Sequence, residues 1–246
     1  MNTTLIIIFS TTFVSLIPLI GFLTLRFRKE ILKKVIFILV AFSAGSLLGA
    51  SFFDLLPEAI EETGVGNLFY VLLGVLTFFA MERYINWHHC HEGDCDIKPL
   101  AYINLLADGI HNLIDGALIA SSYLHSFNLG IITTIAVIFH EVPQEIGDFG
   151  ILLHSGIKPK KAVILNVVSG LIAIVGSLIV IFVLRNFEGI IPILISITSG
   201  GFIYLALVDI VPELHKETDK GLVIIQTLSL ISGITLMFIL TKILSV

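Results

Sequence analysis

Two apolar stretches of this chain carry the residues that could do chemistry. One contains HNLIDG, with His111, Asn112 and Asp115; the other contains HEVPQE, with His140, Glu141 and Gln144. An α-helix turns about 100° per residue, so Asn104, Asp108, His111 and Asp115 fall within about 60° of one another, with Asn112 beside them. By the same arithmetic His140, Glu141, Gln144 and Asp148 share a sector of about 100°, and Glu145 lies at its edge. His111 and Asp115 stand at i, i+4, as do His140 and Gln144, so each pair can grip one ion from a single face. The donors are imidazole nitrogen and carboxylate or amide oxygen, without thiolate. That set suits Zn²⁺, Fe²⁺ or Mn²⁺ and disfavours Cu⁺.

Both clusters sit at the middle of runs long enough to cross a bilayer. An ionisable group there costs about 3 kcal/mol unless it faces a partner, water or an ion. A dication among two imidazoles and several carboxylates resolves that conflict. Pro143 lies inside the second cluster, and its ring removes an amide donor and frees the carbonyl of Phe139. Gly109, Gly116 and Gly147 are expected to let neighbouring helices approach. Asp108, Asp148 and His154 lie on one side of the clusters and could line a route away from them. Asp54 and Asp209 could mark the two mouths of that route, and Asn166 could add a ligand. A loop reading NWHHCHEGDCD offers His88, His89, Cys90, His91 and Cys95 for weak metal capture, by composition and not by fixed geometry.

The elements that must position these residues follow from composition. Of 246 residues 56% are hydrophobic and only 13% charged, where a soluble domain carries about 25% charged residues. Eight apolar segments can be drawn at about 4–26, 35–57, 67–86, 100–124, 128–154, 160–185, 189–213 and 222–244. They leave no room for a separate soluble domain, so residues 1–246 are expected to form one transmembrane unit with the His/Cys-rich loop at about 87–98. The first segment lacks a basic region ahead of its apolar run and is expected to span the membrane, not to be a cleaved signal. The two cysteines imply no disulfide framework. Of the 14 Lys and Arg, only Arg185 and Lys242 fall in one set of loops; the others fall in the opposite set. The rich set is expected in the cytoplasm, with both termini outside.

SAGSLLGASFFDLLPE at 43–58 aligns with TSGGFIYLALVDIVPE at 198–213, matching Gly45 with Gly200, Asp54 with Asp209, Pro57 with Pro212 and Glu58 with Glu213. The two copies run in opposite directions through the membrane, as in many transporters. The expected fold is all-α, a bundle of eight transmembrane helices with an inverted pseudo-repeat of helices 1–3 and 6–8 around helices 4 and 5.

The strings HNLIDG, HEVPQEIGDF and LLGASFFDLLPEA resemble the ZIP family of divalent metal transporters, and HEVPQEIGDF is most similar to its LIV-1 branch. The resemblance covers essentially the whole chain. It implies uptake of Zn²⁺, with Fe²⁺, Mn²⁺ or Cd²⁺ as further cargo, into the cytosol across the cell membrane. It also implies a centre for two ions held by His111, Asn112, Asp115, His140, Glu141 and Gln144. Asp115 and Gln144 occupy bridging positions, and Gln144 stands where the LIV-1 pattern has His. The expected partners are divalent metal ions and the lipid bilayer, with no nucleic acid, and a homodimer is left open. An intramembrane metal-dependent hydrolase is the alternative, because His140-Glu141 opens like an HExxH helix. Gln144 replaces its second His and Pro143 precedes it, so no enzyme is expected.

Overall fold

A computed structural model of the protein describes residues 3–25, 29–87, 97–187 and 189–244. The expected metal-capture residues His88, His89, Cys90, His91 and Cys95 lie outside the described residues. The described residues are helical throughout their ordered elements: α1 (Thr3–Val14), α2 (Ile20–Thr24), α3 (Lys29–Ala50), α4 (Leu56–Thr63), α5 (Leu68–Trp87), α6 (Ile97–His125), α7 (Phe127–His154), α8 (Pro159–Gly170), α9 (Ile172–Phe182), α10 (Ile190–Tyr204), α11 (Val211–Leu214) and α12 (Lys220–Leu244). Taken in runs, they give the eight segments expected: α1–α2, α3–α4, α5, α6, α7, α8–α9, α10–α11 and α12.

Among the described residues, six helical runs are long and apolar enough to cross a bilayer: Thr3–Thr24, Lys34–Glu61, Phe127–Leu153, Pro159–Phe182, Ile190–Val208 and Lys220–Leu244. Around α5 only the shorter Val65–Met81 qualifies as apolar. α6 is long enough at 29 residues, but Asp108, His111, Asn112 and Asp115 dilute its hydropathy. It tolerates them because it is central, packing on α7, α8, α9 and α10. The bundle is apolar outside and polar within. Phe9 is 74% exposed and Phe69 65%, whereas Thr11, Ser46 and Thr198 are fully buried. Hydroxyls can be buried this way because they bond to helix carbonyls, as Ser46 does to Ser43 and Thr134 to Gly130.

The inverted repeat is visible in packing. α3 packs on α12 in one half, and α10 packs on α5 in the other. In the first pair a Cβ on Gly45 would collide with the Leu230 backbone, and one on Gly233 with that of Phe42. In the second, Gly200 meets Val71 and Gly74 meets Ile197 in the same way. Only glycine permits backbones this close. Each half also contains a π-helical turn at the matched place, Ser51–Leu55 and Leu205–Ile210, followed by Pro57 and Pro212. Asp54 and Asp209 sit on these turns, and Ser51 donates to the Ser199 carbonyl, tying the halves together at 3.1 Å.

Candidate metal centre

α6 and α7 are antiparallel neighbours joined at a single residue. Ser126 caps α7, its hydroxyl accepting from the Leu129 amide at 3.1 Å. This tight turn fixes the relative register and brings the middle of α6 level with the middle of α7. α7 continues as one helix through Pro143. Gly116 lies against the backbone of Ala173 on α9, and Gly109 meets the Ile172 side chain. Gly147 differs from expectation: it is exposed, with open space where a Cβ would stand. Its position on α7 faces away from every neighbour, so it eases no helix contact.

Four of the expected ligands converge. His111, Asp115, His140 and Glu141 each offer an atom within 4.8 Å of the others, and all four are buried. The two Nε2 atoms are 3.2 Å apart. His140 Nε2 lies 3.0 Å from Asp115 Oδ2 and 3.6 Å from Glu141 Oε1. His111 Nε2 lies 3.4 Å from Glu141 Oε1 and 3.8 Å from Asp115 Oδ2. Neither oxygen of Asp115 or of Glu141 takes part in a hydrogen bond among the described residues. The other nitrogen of His140, Nδ1, is 3.2 Å from the Ala136 carbonyl oxygen. A neutral ring that donates from Nδ1 there turns a bare Nε2 lone pair toward the carboxylates. Lone pairs facing lone pairs in a buried site repel, and a cation between them reverses the sign.

Asn112 faces a different way from His111. Its Nδ2 donates to Asp108 Oδ1 at 2.9 Å and to the Asp108 carbonyl at 3.1 Å, while its Oδ1 has no partner. Gln144 is half-buried and lines a cavity of about 220 Å³ with His140, Pro143, Val40, Ser43 and Ile210. Pro143 and Gln144 follow His140 toward the end of α7 that leads to Lys158, Lys160 and Lys161, so this cavity lies on the basic side of the centre. A second cavity, of about 210 Å³, lies at the opposite end and is lined by Asp54, Glu58, Asn128 and Thr241. There Thr241 donates to Asp54 Oδ2 at 2.7 Å, and the His125 ring pairs with Glu58. Asp54 thus lines the cavity at that end of the bundle. Asp209 sits on its π-helical turn and His154 at the end of α7.

Asn166, on α8, reaches the site region through Glu145, its Nδ2 donating to Glu145 Oε2 at 3.0 Å. Glu145 and His125 are functional candidates that spacing along single helices does not single out. Glu145 lies at the edge of the polar sector of α7, and the side chain it meets belongs to a third helix.

The description "ZIP Zinc transporter" belongs to a family model that matches this chain over residues 1–96 and 87–241. The chain is 35% identical to zinc transporter ZIP13 of Pongo abelii over 215 residues, covering 81% of this chain and 65% of that protein. It is 31% identical to zinc transporter zipt-7.1 of Caenorhabditis briggsae, covering 75% and 63% respectively. With zinc transporter ZIP10 of Homo sapiens the identity is 35%, over 63% of this chain and 21% of that one. The chain thus spans just under two thirds of the length of the first two relatives.

Proposed function

The chain belongs to the ZIP zinc transporter family, and from that premise we propose that it carries Zn²⁺ across the bilayer through the centre of His111, Asp115, His140 and Glu141. The observation that carries this reading is two buried, adjacent carboxylates that accept no hydrogen bond and face two imidazole nitrogens. Zinc, iron and manganese accept such a nitrogen and oxygen set, and Cd²⁺ belongs to the cargo the family resemblance implies. Gln144, and Asn112 standing between this centre and Asp108, bring the ligand set that the family resemblance implies to six residues for up to two ions. Gln144 contributes a neutral amide where a carboxylate would bind harder, which favours release over retention.

Cargo enters at the Asp54–Glu58 cavity, passes the centre and leaves through the Gln144 cavity. With the basic loops inside, that direction is into the cytosol and both termini lie outside; the cell membrane is the location that the family resemblance implies. Residues 1–246 act as one transport unit, and His88, His89, Cys90, His91 and Cys95 take up ions near the exit. Asp209 marks the inner mouth, with His154 on the way to it. Catalysis has no comparable support: Gln144 cannot serve as the second His of a zinc-protease helix.

Uptake of ⁶⁵Zn²⁺ into proteoliposomes tests the reading. His140→Ala and Asp115→Ala are expected to lower uptake by about tenfold or more, the scale of a disrupted metal site, and Cys90→Ser to lower it far less. Equal losses in all three would refute the ranking of the central site over the loop. Competition by Fe²⁺, Mn²⁺ and Cd²⁺ in the same assay sets the cargo range.

A further inference from the structure

A second group of titratable side chains lies beyond the centre described above. Asp108 on α6 and Glu145 and Asp148 on α7 each present an oxygen within 4.8 Å of the others. They are 4%, 0% and 9% exposed. At 1.5 Å per residue, Asp108 is about 5 Å from His111 along its helix, and Glu145 and Asp148 are about 6 and 11 Å from Glu141, on the basic-loop side.

Three carboxylates gathered inside a bundle are not by themselves a site, since they could share protons. Two amides argue for a ligand. Asn166, fully buried on α8, extends its Nδ2 to Glu145 Oε2, and its own Oδ1 has no hydrogen-bond partner. Asn112, 1% exposed, does the same on α6: its Nδ2 donates to Asp108 Oδ1, and its Oδ1 has no partner. Asp108 Oδ2 and Glu145 Oε1 also lack partners. Four orphaned oxygens on three helices thus belong to the carboxylate cluster or to buried amides hydrogen-bonded to it. Shared protons would leave the two amide oxygens unsatisfied, whereas a cation can be coordinated by carboxylate and amide oxygens together.

We propose that Asp108, Glu145 and Asp148, with the amide oxygens of Asn166 and Asn112, form a second divalent-cation site built from oxygen alone. Its chemistry differs from that of the imidazole centre. Oxygen-only sets suit hard cations such as Mn²⁺ and hold Zn²⁺ less firmly than sets containing imidazole. Resting on the transport reading above, the site is the next station for an ion leaving His111 and His140. Asn112 joins the two stations, its backbone next to His111 and its side chain on Asp108. A weaker site downstream lets the ion move on without a deep trap.

Mn²⁺ is the probe, added to the purified full-length chain and followed by pulsed electron paramagnetic resonance, which reports imidazole nitrogen bound to manganese. The chain is expected to bind Mn²⁺ in an environment without imidazole nitrogen. That signal should persist in His111→Ala/His140→Ala, with affinity within about threefold. It should weaken by about tenfold or more in Glu145→Gln/Asp148→Asn, the scale of a lost ligand shell. Loss of the oxygen-only signal in the His variant, or its survival undiminished in the Gln/Asn variant, would overturn the proposal. Zn²⁺ binding at the His centre of the Gln/Asn variant, within about threefold of the parent, is the check that this variant is folded. Undiminished ⁶⁵Zn²⁺ uptake by the His variant would sink the transport reading and leave the oxygen site standing.

Discussion

His140 illustrates how its surroundings can prepare one side chain to bind a metal. Its Nδ1 points at the Ala136 carbonyl one turn back, and its Nε2 at Asp115, Glu141 and His111. The bond on one nitrogen sets the tautomer of the other, and a ring so fixed is a ligand without further rearrangement. Protons compete with a metal ion for its ligands. Metal binds the neutral ring, so lowering the pH protonates the ligands and weakens binding, and raising it does the reverse. Uptake is therefore expected to rise as external pH goes from about 5.5 to 7; a flat or falling profile would show that proton competition does not limit the cycle. At this scale the sequence is informative, because a charged residue in an apolar helix is conspicuous. His111, Asp115, His140 and Glu141 are legible from spacing and depth alone. Glu145 is less so: its significance comes from Asn166, 21 residues away on another helix. The pairing of His125 with Glu58 is likewise a contact between distant segments, and no periodicity along either helix announces it.

The helices owe their arrangement to glycine at crossing points more than to any polar bond. Gly45 with Gly233, and Gly74 with Gly200, let α3 meet α12 and α5 meet α10 at backbone distance. The two crossings are copies of one another, so equivalent lesions should cost alike. Gly45→Val and Gly200→Val are each expected to destabilise the bundle by about 1–3 kcal/mol, the usual penalty for overpacking, read as lower melting temperatures in detergent. Gly147→Ala, with open space around it, should cost nothing measurable. A large loss at Gly147 with none at Gly45 would reverse the packing argument. The match of Gly45 with Gly200 and of Asp54 with Asp209 is visible in sequence because these residues lie in similar strings. The complementary glycines, Gly74 and Gly233, lie in apolar helices without a shared motif, and only the crossing gives them meaning.

Across the whole molecule, two cavities flank the centre from opposite ends of the bundle. One reaches His140 past Val40 and Gln144; the other is bounded by Asp54, Glu58 and Asn128. Leu129 and Ile132 line that second cavity, and buried Ala136 and Val137 follow on α7 before His140. The side leading to the basic loops is thus the more open one. With Cys90 and Cys95 changed to Ser, a cysteine at Val40 should react with a membrane-impermeant thiol reagent only from the basic-loop face. A cysteine at Asn128 should react only from the other face. Labelling of Val40→Cys from the Asn128 face would contradict this assignment of the two cavities. The eight segments are readable from hydropathy, because lipid permits few alternatives. The cavities are not, since they depend on how side chains of α3, α7 and the π-helical turn after α10 pack against one another.

The most direct test of the metal centre is a zinc anomalous-difference map from crystals of the full chain soaked in Zn²⁺. A peak is predicted between His111 Nε2 and His140 Nε2, about 2.0–2.2 Å from ligand nitrogens and from oxygens of Asp115 and Glu141. Zinc bound elsewhere in the bundle, with the two imidazoles bonded directly to each other and no peak between them, would contradict the account.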